Sequence, residues 1–354
     1  MSLIKKIANK LSPNMKSKAR DAYYNTDLVL ASFFSRSGFL ASIYYCFFSS
    51  KFHREHRAVL LGRIKYNHAL RNKGETNALL RRNIHRLEKG LIMRPRRKVF
   101  AENYIGETVS CYANNLKNCS NFSAEHKWAN DVLTDYFSAV DTTPRLAAVE
   151  SIFSEIRKES NTNRYVPYSH DKLPECPVDY NQLLTLFKRR RSVRWFLDKS
   201  VSEDLIEQAV RAASLAPSAC NRQPFNFHVA NTPSRAVEIA SCAMGTSGFS
   251  RNIPCTIAIV GDLSAYPAER DRHVIYIDGS LAAMQLMLAL ETLGLSTCPI
   301  NWPDIEERER MLSDKLSLSY SERPIMLLAV GYPDPDGGIP YSQKKTEQEF
   351  IKII

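Results

Sequence analysis

The residues of this sequence that could do chemistry begin with an arginine-rich segment at 189–196, which reads Arg-Arg-Arg-Ser-Val-Arg-Trp-Phe. An arginine guanidinium is permanently charged and donates two parallel hydrogen bonds to phosphate oxygens, and a serine hydroxyl adds a further donor. A basic run of this kind is also typical of a solvated surface. Taken alone, the segment therefore indicates either a phosphate site or an exposed basic face.

A second segment follows about twenty residues later, at 217–225, and reads Pro-Ser-Ala-Cys-Asn-Arg-Gln-Pro-Phe. Small and amide side chains between two prolines favour a rigid loop that presents polar groups to a flat heterocycle. The two segments together predict a site for a nucleotide-like cofactor.

The order and spacing of the two segments resemble the FMN-dependent nitroreductase family. The matching pattern is Arg-Arg-Ser-x-Arg-x-Phe from Arg190, then a helix, then Ala-Pro-Ser-x-x-Asn-x-Gln-Pro-Phe from Ala216, and the resemblance covers residues 180–354. It implies an α+β fold, with a mixed or antiparallel sheet flanked by helices. It also implies that FMN lies at the interface of an intertwined homodimer and that NADH or NADPH is the co-substrate.

The resemblance implies that the arginine-rich segment of one subunit binds the FMN phosphate and that the loop of the other subunit approaches the same flavin. A turn at residues 294–301 and the basic tail would complete the site. The implied cofactor-binding residues are Arg190, Arg191, Ser192, Arg194, Pro217, Ser218, Ala219, Asn221, Gln223, Cys298, Pro299, Ile300, Lys344 and Lys345. No catalytic acid or base and no metal is implied, because a flavin carries the chemistry itself.

Three positions depart from the family pattern. Phe225 stands where tryptophan is common, Ala219 stands where serine is common, and no glycine follows Cys298 in the predicted turn. The missing glycines concern the surroundings of the reactive flavin nitrogen, so the sequence does not identify the substrate.

The function that the resemblance implies is an FMN-dependent, NAD(P)H-driven ping-pong reduction of a small nitro, quinone or other conjugated acceptor. An alternative is a non-catalytic or sensing flavin-fold scaffold that attaches to a membrane or polyanion through its N-terminal domain. A third hypothesis, nucleic-acid binding, depends on the basic run at 94–98 alone. That run lacks the interleaved aromatic residues of single-strand binders, so nucleic acid is not an expected partner.

Charge is distributed unevenly along the 354 residues, whose formal net charge is +11. Residues 1–100 contain 22 lysines and arginines but 5 aspartates and glutamates, so the rest of the chain is acidic. A segment at 161–180 that is rich in proline and polar residues, without periodicity, is typical of a linker. We therefore predict a basic, mainly helical domain over 1–176 and a nitroreductase-like domain over 177–354.

Residues 28–48 are apolar enough to suggest a membrane span, but Ser-Arg-Ser-Gly at 35–38 interrupts them at the centre. A charge there costs about 2.5–3.5 kcal/mol on insertion scales, so we do not predict a span. Two interpretations remain, a buried helical hairpin or an interfacial segment on a membrane. The second would use basic residues within 1–100 for peripheral contact with an anionic surface or another polyanion.

Eight cysteines without regular spacing are typical of a reduced compartment. No cleavable signal is evident at the basic start of the chain. The predicted location is therefore cytoplasmic, with the inner face of the membrane as the place of any peripheral contact.

The elements that must position the two segments follow from hydrophobic periodicity. It predicts helices at 180–190, 202–215 and 277–293 and strands at 225–230, 255–261 and 324–331. The helix at 277–293 is apolar almost all round, so we expect it to be buried on every side, in the core or in a subunit interface. Because the segment at 262–273 is short, lid helices over the flavin are not expected, and we hypothesise that the N-terminal domain covers the cofactor.

Overall fold

The computed structural model describes residues 12–71, 77–119, 121–159 and 163–354. The chain divides into two compact units, one up to Arg57 and one from Ala58 to Ile354. The domain boundary predicted near residue 177 stays a prediction.

The described residues of the first unit include helices α1 (Pro13–Phe34) and α2 (Gly38–Phe47). Ser12 and Ser37 cap them, because each side-chain oxygen accepts a hydrogen bond from the main-chain N–H three residues later. The predicted break between the helices is confirmed. The interpretation of residues 28–48 as a buried hairpin is wrong, since Tyr44 is the one buried residue of α2. The large apolar side chains that are exposed here are Tyr23, Tyr24, Leu28, Val29, Phe33, Phe39, Phe47 and Phe48.

The helices that follow are α3 (His53–Arg71), α4 (Asn77–Leu91), α5 (Ile105–Asn118), α6 (Ala124–Ala139) and α7 (Pro144–Ile156). Helix α4 is amphipathic, because Leu80, Ile84 and Leu87 repeat at helical spacing and are all buried. They pack with α5, α6 and α7 around the rings of Tyr112 and Tyr136. Residues 79–153 thus contain a buried hydrophobic core of their own.

The second half of the chain contributes a four-stranded antiparallel sheet in the order β1-β2-β4-β3. The strands are β1 (Phe225–Ala230), β2 (Cys255–Asp262), β3 (Ser296–Asn301) and β4 (Glu322–Gly331). The two central strands are buried almost throughout, as their continuous β-branched and apolar sequences require. The predicted strands at 225–230, 255–261 and 324–331 are confirmed, and so is the α+β class with an antiparallel sheet and a preceding helical region.

Helices α8 (Tyr180–Arg189), α9 (Glu203–Ala213), α10 (Pro233–Ala240), α11 (Val274–Thr292), α12 (Glu306–Leu316) and α13 (Glu347–Phe350) complete the described elements. Helix α11 packs on the sheet and on α9, with Leu286 and Leu290 fully buried. Within one chain Ile277, Leu281 and Met284 are exposed, so burial of this face in a subunit interface stays a prediction. Of the helices described, α11 is the one long and apolar enough to cross a membrane by length and composition.

Candidate functional site

The arginine-rich segment lies along the outer edge of β3. The N–H of Val193 donates a 3.0 Å hydrogen bond to the carbonyl of Thr297, and Ser192 forms a parallel bridge with the same residue. Further on, the buried Phe196 forms an antiparallel bridge with Pro333. Main-chain pairing on both sides therefore fixes the position of the segment against the sheet.

Two of the four arginines are committed to other groups of the protein. Arg189 Nε lies 3.0 Å from Oε1 of the buried Glu291. Arg191 Nη2 donates hydrogen bonds to the main-chain carbonyls of Pro340, at 2.7 Å, and Tyr341. Arg189 thus neutralises a buried carboxylate, and Arg191 holds the C-terminal tail.

The other two arginines, Arg190 and Arg194, are half-buried, and neither forms an ion pair with any residue that the structure describes. Both lie close enough to Cys298 to act on its thiol. Burial raises the pKa of Cys298, and the positive charges of Arg194 and Arg190 lower it by less. Two uncompensated positive charges therefore face the edge of β3 beside the hydroxyl of Ser192, and this arrangement favours an anion.

Residues 296–301 form strand β3 and not the predicted turn. The side chains of Cys298 and Ile300 point into the hydrophobic core, whereas Pro299 is exposed. Thr297 is fully buried, and its Oγ1 has no hydrogen-bond partner among the described residues. Cys298 and Ile300 thus pack β3 against the hydrophobic core. Thr297 supplies a hydroxyl next to Ser192 that has no hydrogen-bond partner among the described residues.

The tail approaches the arginine-rich segment at residues 340–341. Lys344 and Lys345 follow shortly afterwards and are exposed. The Arg191 contacts therefore place the two lysines within a few residues of the anion-favouring edge, where their long side chains are free to turn.

The loop at 217–223 has an unusual backbone. Cys220, Asn221 and Gln223 have φ angles of 54°, 52° and 50°. Residues other than glycine rarely adopt this left-handed region, and each costs about 1–2 kcal/mol there. Such strain persists only where surrounding contacts hold the conformation.

Contacts from α11 and from the loop itself supply part of that support. Oδ2 of the buried Asp278 accepts a 3.0 Å hydrogen bond from the N–H of Ala219. Inside the loop, the N–H of Gln223 donates to Ser218 Oγ at 3.1 Å. Burial raises the pKa of Asp278 by more than the hydrogen bond from Ala219 and the nearby hydroxyl of Tyr266 lower it.

The helical region supplies the remaining support through Arg81 of α4. Its Nε donates to the carbonyl of Asn221 at 2.7 Å, and its Nη2 donates to Gln223 Oε1 at 2.9 Å. Glu125 lies 3.7 Å from its Nη1, and the guanidinium lies 5.5 Å from the ring centroid of Trp128. Sequence analysis missed Arg81, because one arginine of a basic helix carries no signal of a partner 140 residues away.

A cleft of about 370 Å³ opens beside the same loop. Lys65 and His68 of α3, Arg222 and Phe225 are among the residues that line it. The guanidinium of Arg222 lies 4.9 Å from the ring centroid of Tyr266, and its buried Nε has no hydrogen-bond partner among the described residues. The cleft is large enough for a small organic molecule.

The arginine-rich segment and the loop at 217–223 are the two predicted half-sites of the cofactor site. The structure does not bring them together within one chain. The loop joins β1 at Phe225, which is in register with Gly261 and, across β2, with Arg323. The arginine-rich segment lies beside Thr297, which is in register with Val330 at the other end of β4. Strand spacing and rise place the two half-sites roughly 25 Å apart, at opposite edges and opposite ends of the sheet.

Comparison with known proteins gives a family for this part of the chain. Residues 187–241 and 234–332 match the nitroreductase family model. The mouse (Mus musculus) protein named iodotyrosine deiodinase 1 is 26% identical over 236 residues, which cover 58% of this chain and 82% of the mouse protein. A putative NADH dehydrogenase/NAD(P)H nitroreductase of Archaeoglobus fulgidus is 29% identical over 154 residues, which cover 43% of this chain and 86% of that protein.

Among solved structures, a nitroreductase family protein from Streptococcus pneumoniae aligns with a TM-score of 0.43 and 25% identity. The alignment covers 49% of this chain and all of that one. The family match falls on the arginine-rich segment, the loop and the four strands of the sheet. The predicted resemblance to the nitroreductase family is therefore confirmed over residues 187–332.

Proposed function

We propose that this protein is an FMN-dependent oxidoreductase that uses NADH or NADPH to reduce a small nitro, quinone or other conjugated acceptor. The observation that carries the proposal is the pair of half-buried arginines, Arg190 and Arg194, which face the edge of β3 without a carboxylate partner among the described residues. The match to the nitroreductase family model supports the reaction class.

The residues present fit the chemistry of FMN. The phosphate would be held by Arg190, Arg194 and Ser192, with the free hydroxyl of Thr297 beside them. Lys344 and Lys345 would fold over the same phosphate, and Arg191 keeps the tail within reach. When bound, FMN supplies the hydride-transfer chemistry between nicotinamide and acceptor.

The loop at 217–223 would present its polar groups to the flavin of a second copy of the chain. Two observations support this homodimer. The half-sites lie at opposite edges of the sheet, so one chain cannot build the site alone. Exposed apolar side chains also form one stripe on α8 and one on α11 at helical spacing, as expected of a subunit interface; they are Tyr180, Leu183, Phe187, Ile277, Leu281 and Met284.

In this arrangement the residues of the chain bind and orient the ligand, and they exclude water from it. Arg81 and Asp278 hold the strained loop in one conformation, which positions Ser218 and Asn221 before a ligand arrives. The cleft beside Arg222 offers the acceptor a place to bind. No side chain is assigned as a general acid or base.

The first experiment is the visible spectrum of the purified full-length protein, followed by anaerobic addition of NADH and then NADPH. We expect a yellow protein whose flavin absorbance is lost with at least one nucleotide and recovered on adding an acceptor such as a nitroarene or a quinone. A colourless protein that cannot take up added FMN would overturn the proposal. A yellow protein that neither nucleotide bleaches would restrict it to flavin binding.

Subunit complementation tests the shared site. One variant carries Arg190→Gln with Arg194→Gln, and the other carries Asn221→Ala with Gln223→Ala, so each should be inactive alone. Random co-assembly should restore about a quarter of the sites, because half of the dimers would contain one intact site. No recovery in a co-assembled sample that gel filtration shows to be dimeric would contradict the shared site.

A second candidate reaction is the reductive removal of iodide from an iodinated aromatic ring. It is favoured by the match to proteins named iodotyrosine deiodinase, which extends over 82% of the mouse relative. Two electrons from the nicotinamide and a proton would replace the carbon–iodine bond with carbon–hydrogen and release iodide. Iodide release from 3-iodotyrosine, with tyrosine as the product, distinguishes this reaction from reduction of a nitroarene.

The first unit supports a peripheral membrane contact. Exposed aromatic side chains of α1 and α2, among them Tyr23, Phe39 and Phe47, share residues 12–57 with Lys16, Lys18 and Arg36. Aromatic rings and cations together are typical of segments that lie on an anionic lipid surface. Co-sedimentation with phosphatidylglycerol vesicles but not with phosphatidylcholine vesicles is the expected result, and Phe39→Ser with Phe47→Ser should abolish it.

A further inference from the structure

A second cleft lies in the helical region, at the C-terminal end of α4. Its volume is about 700 Å³. The segment that follows α4 forms one wall, the end of α6 forms another, and residues 167–170 close it. The polar residues that line it include Arg94, Arg96, Ser138, Tyr168, Ser169 and His170.

The charges in this cleft are unbalanced. Asp135 also lines it, but Oδ1 of Asp135 lies 2.5 Å from Arg164 Nη2, so that carboxylate is already paired. Arg94 and Arg96 form no ion pair or side-chain hydrogen bond with any residue that the structure describes. The cleft therefore contains two uncompensated guanidinium groups within three positions of the chain.

The backbone that presents the two arginines is anchored at both ends. Phe100 packs directly on Gly90, where an added Cβ would lie 2.2 Å from the ring. The carbonyl of Lys98 accepts a 2.9 Å hydrogen bond from the N–H of Asp141, and the carbonyl of Phe100 accepts a 2.6 Å hydrogen bond from the hydroxyl of Tyr136. The basic segment is thus a short closed loop, and less ordering is needed when a ligand binds to it.

The rest of the cleft suits an organic molecule that carries the anion. Hydroxyl donors are available from Ser169 and Tyr168, and the exposed ring of Tyr168 offers an apolar face. Ile92 and Met93 are exposed at the rim. A guanidinium pair recognises phosphate oxygens with several charge-assisted hydrogen bonds, and a volume of this size accommodates a nucleotide-sized group.

We propose that this cleft is a binding site for a small organic phosphate, separate from the flavin site. Arg94 and Arg96 hold the phosphate oxygens, the hydroxyls of Ser169 and Tyr168 donate to the same group, and the ring of Tyr168 with the apolar rim packs against the organic part. The paired Asp135 does not oppose the anion, because Arg164 neutralises it. The site does not depend on the proposed oxidoreductase activity, since none of its residues belongs to either half-site.

The test is isothermal titration of the full-length protein with ADP, pyrophosphate and adenosine, with and without saturating FMN. We expect ADP and pyrophosphate to bind in both conditions and adenosine, which lacks phosphate, to bind at least tenfold more weakly than ADP. Arg94→Gln with Arg96→Gln should weaken ADP binding about a hundredfold, since each charge-assisted contact contributes about tenfold. The matched control is Arg97→Gln, which removes a charge from the same basic run but does not line the cleft.

Several results would overturn the proposal. They are equal weakening by Arg97→Gln, or the absence of ADP and pyrophosphate binding up to millimolar concentration. Binding that is seen only with duplex DNA or with phosphatidylglycerol vesicles, and that falls steadily with salt, would assign the basic run to a polyanion surface instead. Thermal melting of each variant checks folding, and the single variants Arg94→Gln and Arg96→Gln replace the double variant if it does not fold.

Discussion

Arg81 Nε donates a 2.7 Å hydrogen bond to the main-chain carbonyl of Asn221, which has a left-handed backbone conformation. The contact joins the helical region to the loop that matches the nitroreductase family. It agrees with the hypothesis that the region before residue 177 covers the cofactor in place of a lid, although the covering itself stays a proposal. The first prediction concerns this contact.

Replacing Arg81 by glutamine should lower the free energy of unfolding by about 1–3 kcal/mol, because two hydrogen bonds to the loop are lost and the strain at Asn221 and Gln223 is no longer held. It should also weaken FMN binding several-fold. The control is Arg86→Gln on the same helix, whose guanidinium stacks 3.7 Å from the ring centroid of Tyr104. Unchanged FMN affinity in a destabilised Arg81→Gln protein would show that the contact serves folding alone.

The arginines of the 189–196 segment should separate into two classes. Arg190→Gln and Arg194→Gln should each raise the Kd for FMN about tenfold or more while leaving the melting temperature nearly unchanged. Arg189→Gln should lower the melting temperature and leave the Kd close to that of the wild type, because it leaves the buried Glu291 without its partner. Fluorescence titration of FMN and thermal melting measure the two quantities, and the reverse pattern would remove the assignment of Arg190 and Arg194 to the phosphate.

The buried carboxyl of Asp278 should make stability depend on pH. Burial raises the pKa of Asp278 above its value of about 3.9 in the unfolded chain. Its contribution to stability is therefore fully present below that value and is lost as pH rises through the higher pKa of the folded state. Asparagine does not titrate, so the stability of Asp278→Asn relative to the wild type should improve as pH rises above about 4.

Denaturant unfolding at several pH values measures this difference for Asp278→Asn. The exposed Asp198 provides the control variant, Asp198→Asn. A constant difference across the pH range, or one that moves in favour of the wild type as pH rises, would contradict the assignment.

The cysteines should differ in their reactivity toward iodoacetamide. Burial raises the pKa of Cys255 to about 12 and also raises the pKa of Cys298, so both thiols stay protonated and shielded at pH 8. Cys46 and Cys176 are exposed and should be labelled first. Mass spectrometry of the native protein reads out each site, and early labelling of Cys298 would indicate that it is accessible from the site.

Adding a methyl group at Gly331 should disturb the arginine-rich segment. A Cβ there would lie 2.6 Å from Pro254 Cγ and 2.8 Å from Cδ1 of Phe196, the residue that anchors the end of the segment. Gly331→Ala should cost about 1–3 kcal/mol of stability and weaken FMN binding, because Phe196 must move. Gly338→Ala has open space around the added carbon and should change neither quantity.

The sequence is most informative where one physical signal dominates. Continuous β-branched residues predict β2, and helical periodicity predicts the helices that flank the sheet. The pairing of Ser192 with Thr297 could not be predicted, because it depends on two segments separated by about a hundred residues. For α11, apolar composition predicted burial in the core or in a subunit interface, but it could not show which face of the helix packs in the core.

The candidate site shows the same limit. Residue types alone suggest an anion at 189–196, but they cannot show that Arg189 pairs with a buried carboxylate and Arg191 with the tail, whereas Arg190 and Arg194 have no carboxylate partner among the described residues. Cys298 and Ile300 were predicted to lie in a turn, because the resemblance to the nitroreductase family implied one there. Proline is accepted there because β3 is an edge strand whose main chain is not fully paired.

The contact between Arg81 and Asn221 also has a consequence for the order of folding. The core of residues 79–153 is closed by contacts between neighbouring helices, which form quickly because little chain entropy is lost. One external support of the loop is formed only when a hydrogen bond across 140 residues is made. We therefore expect the loop to reach its native conformation after the helical core of residues 79–153.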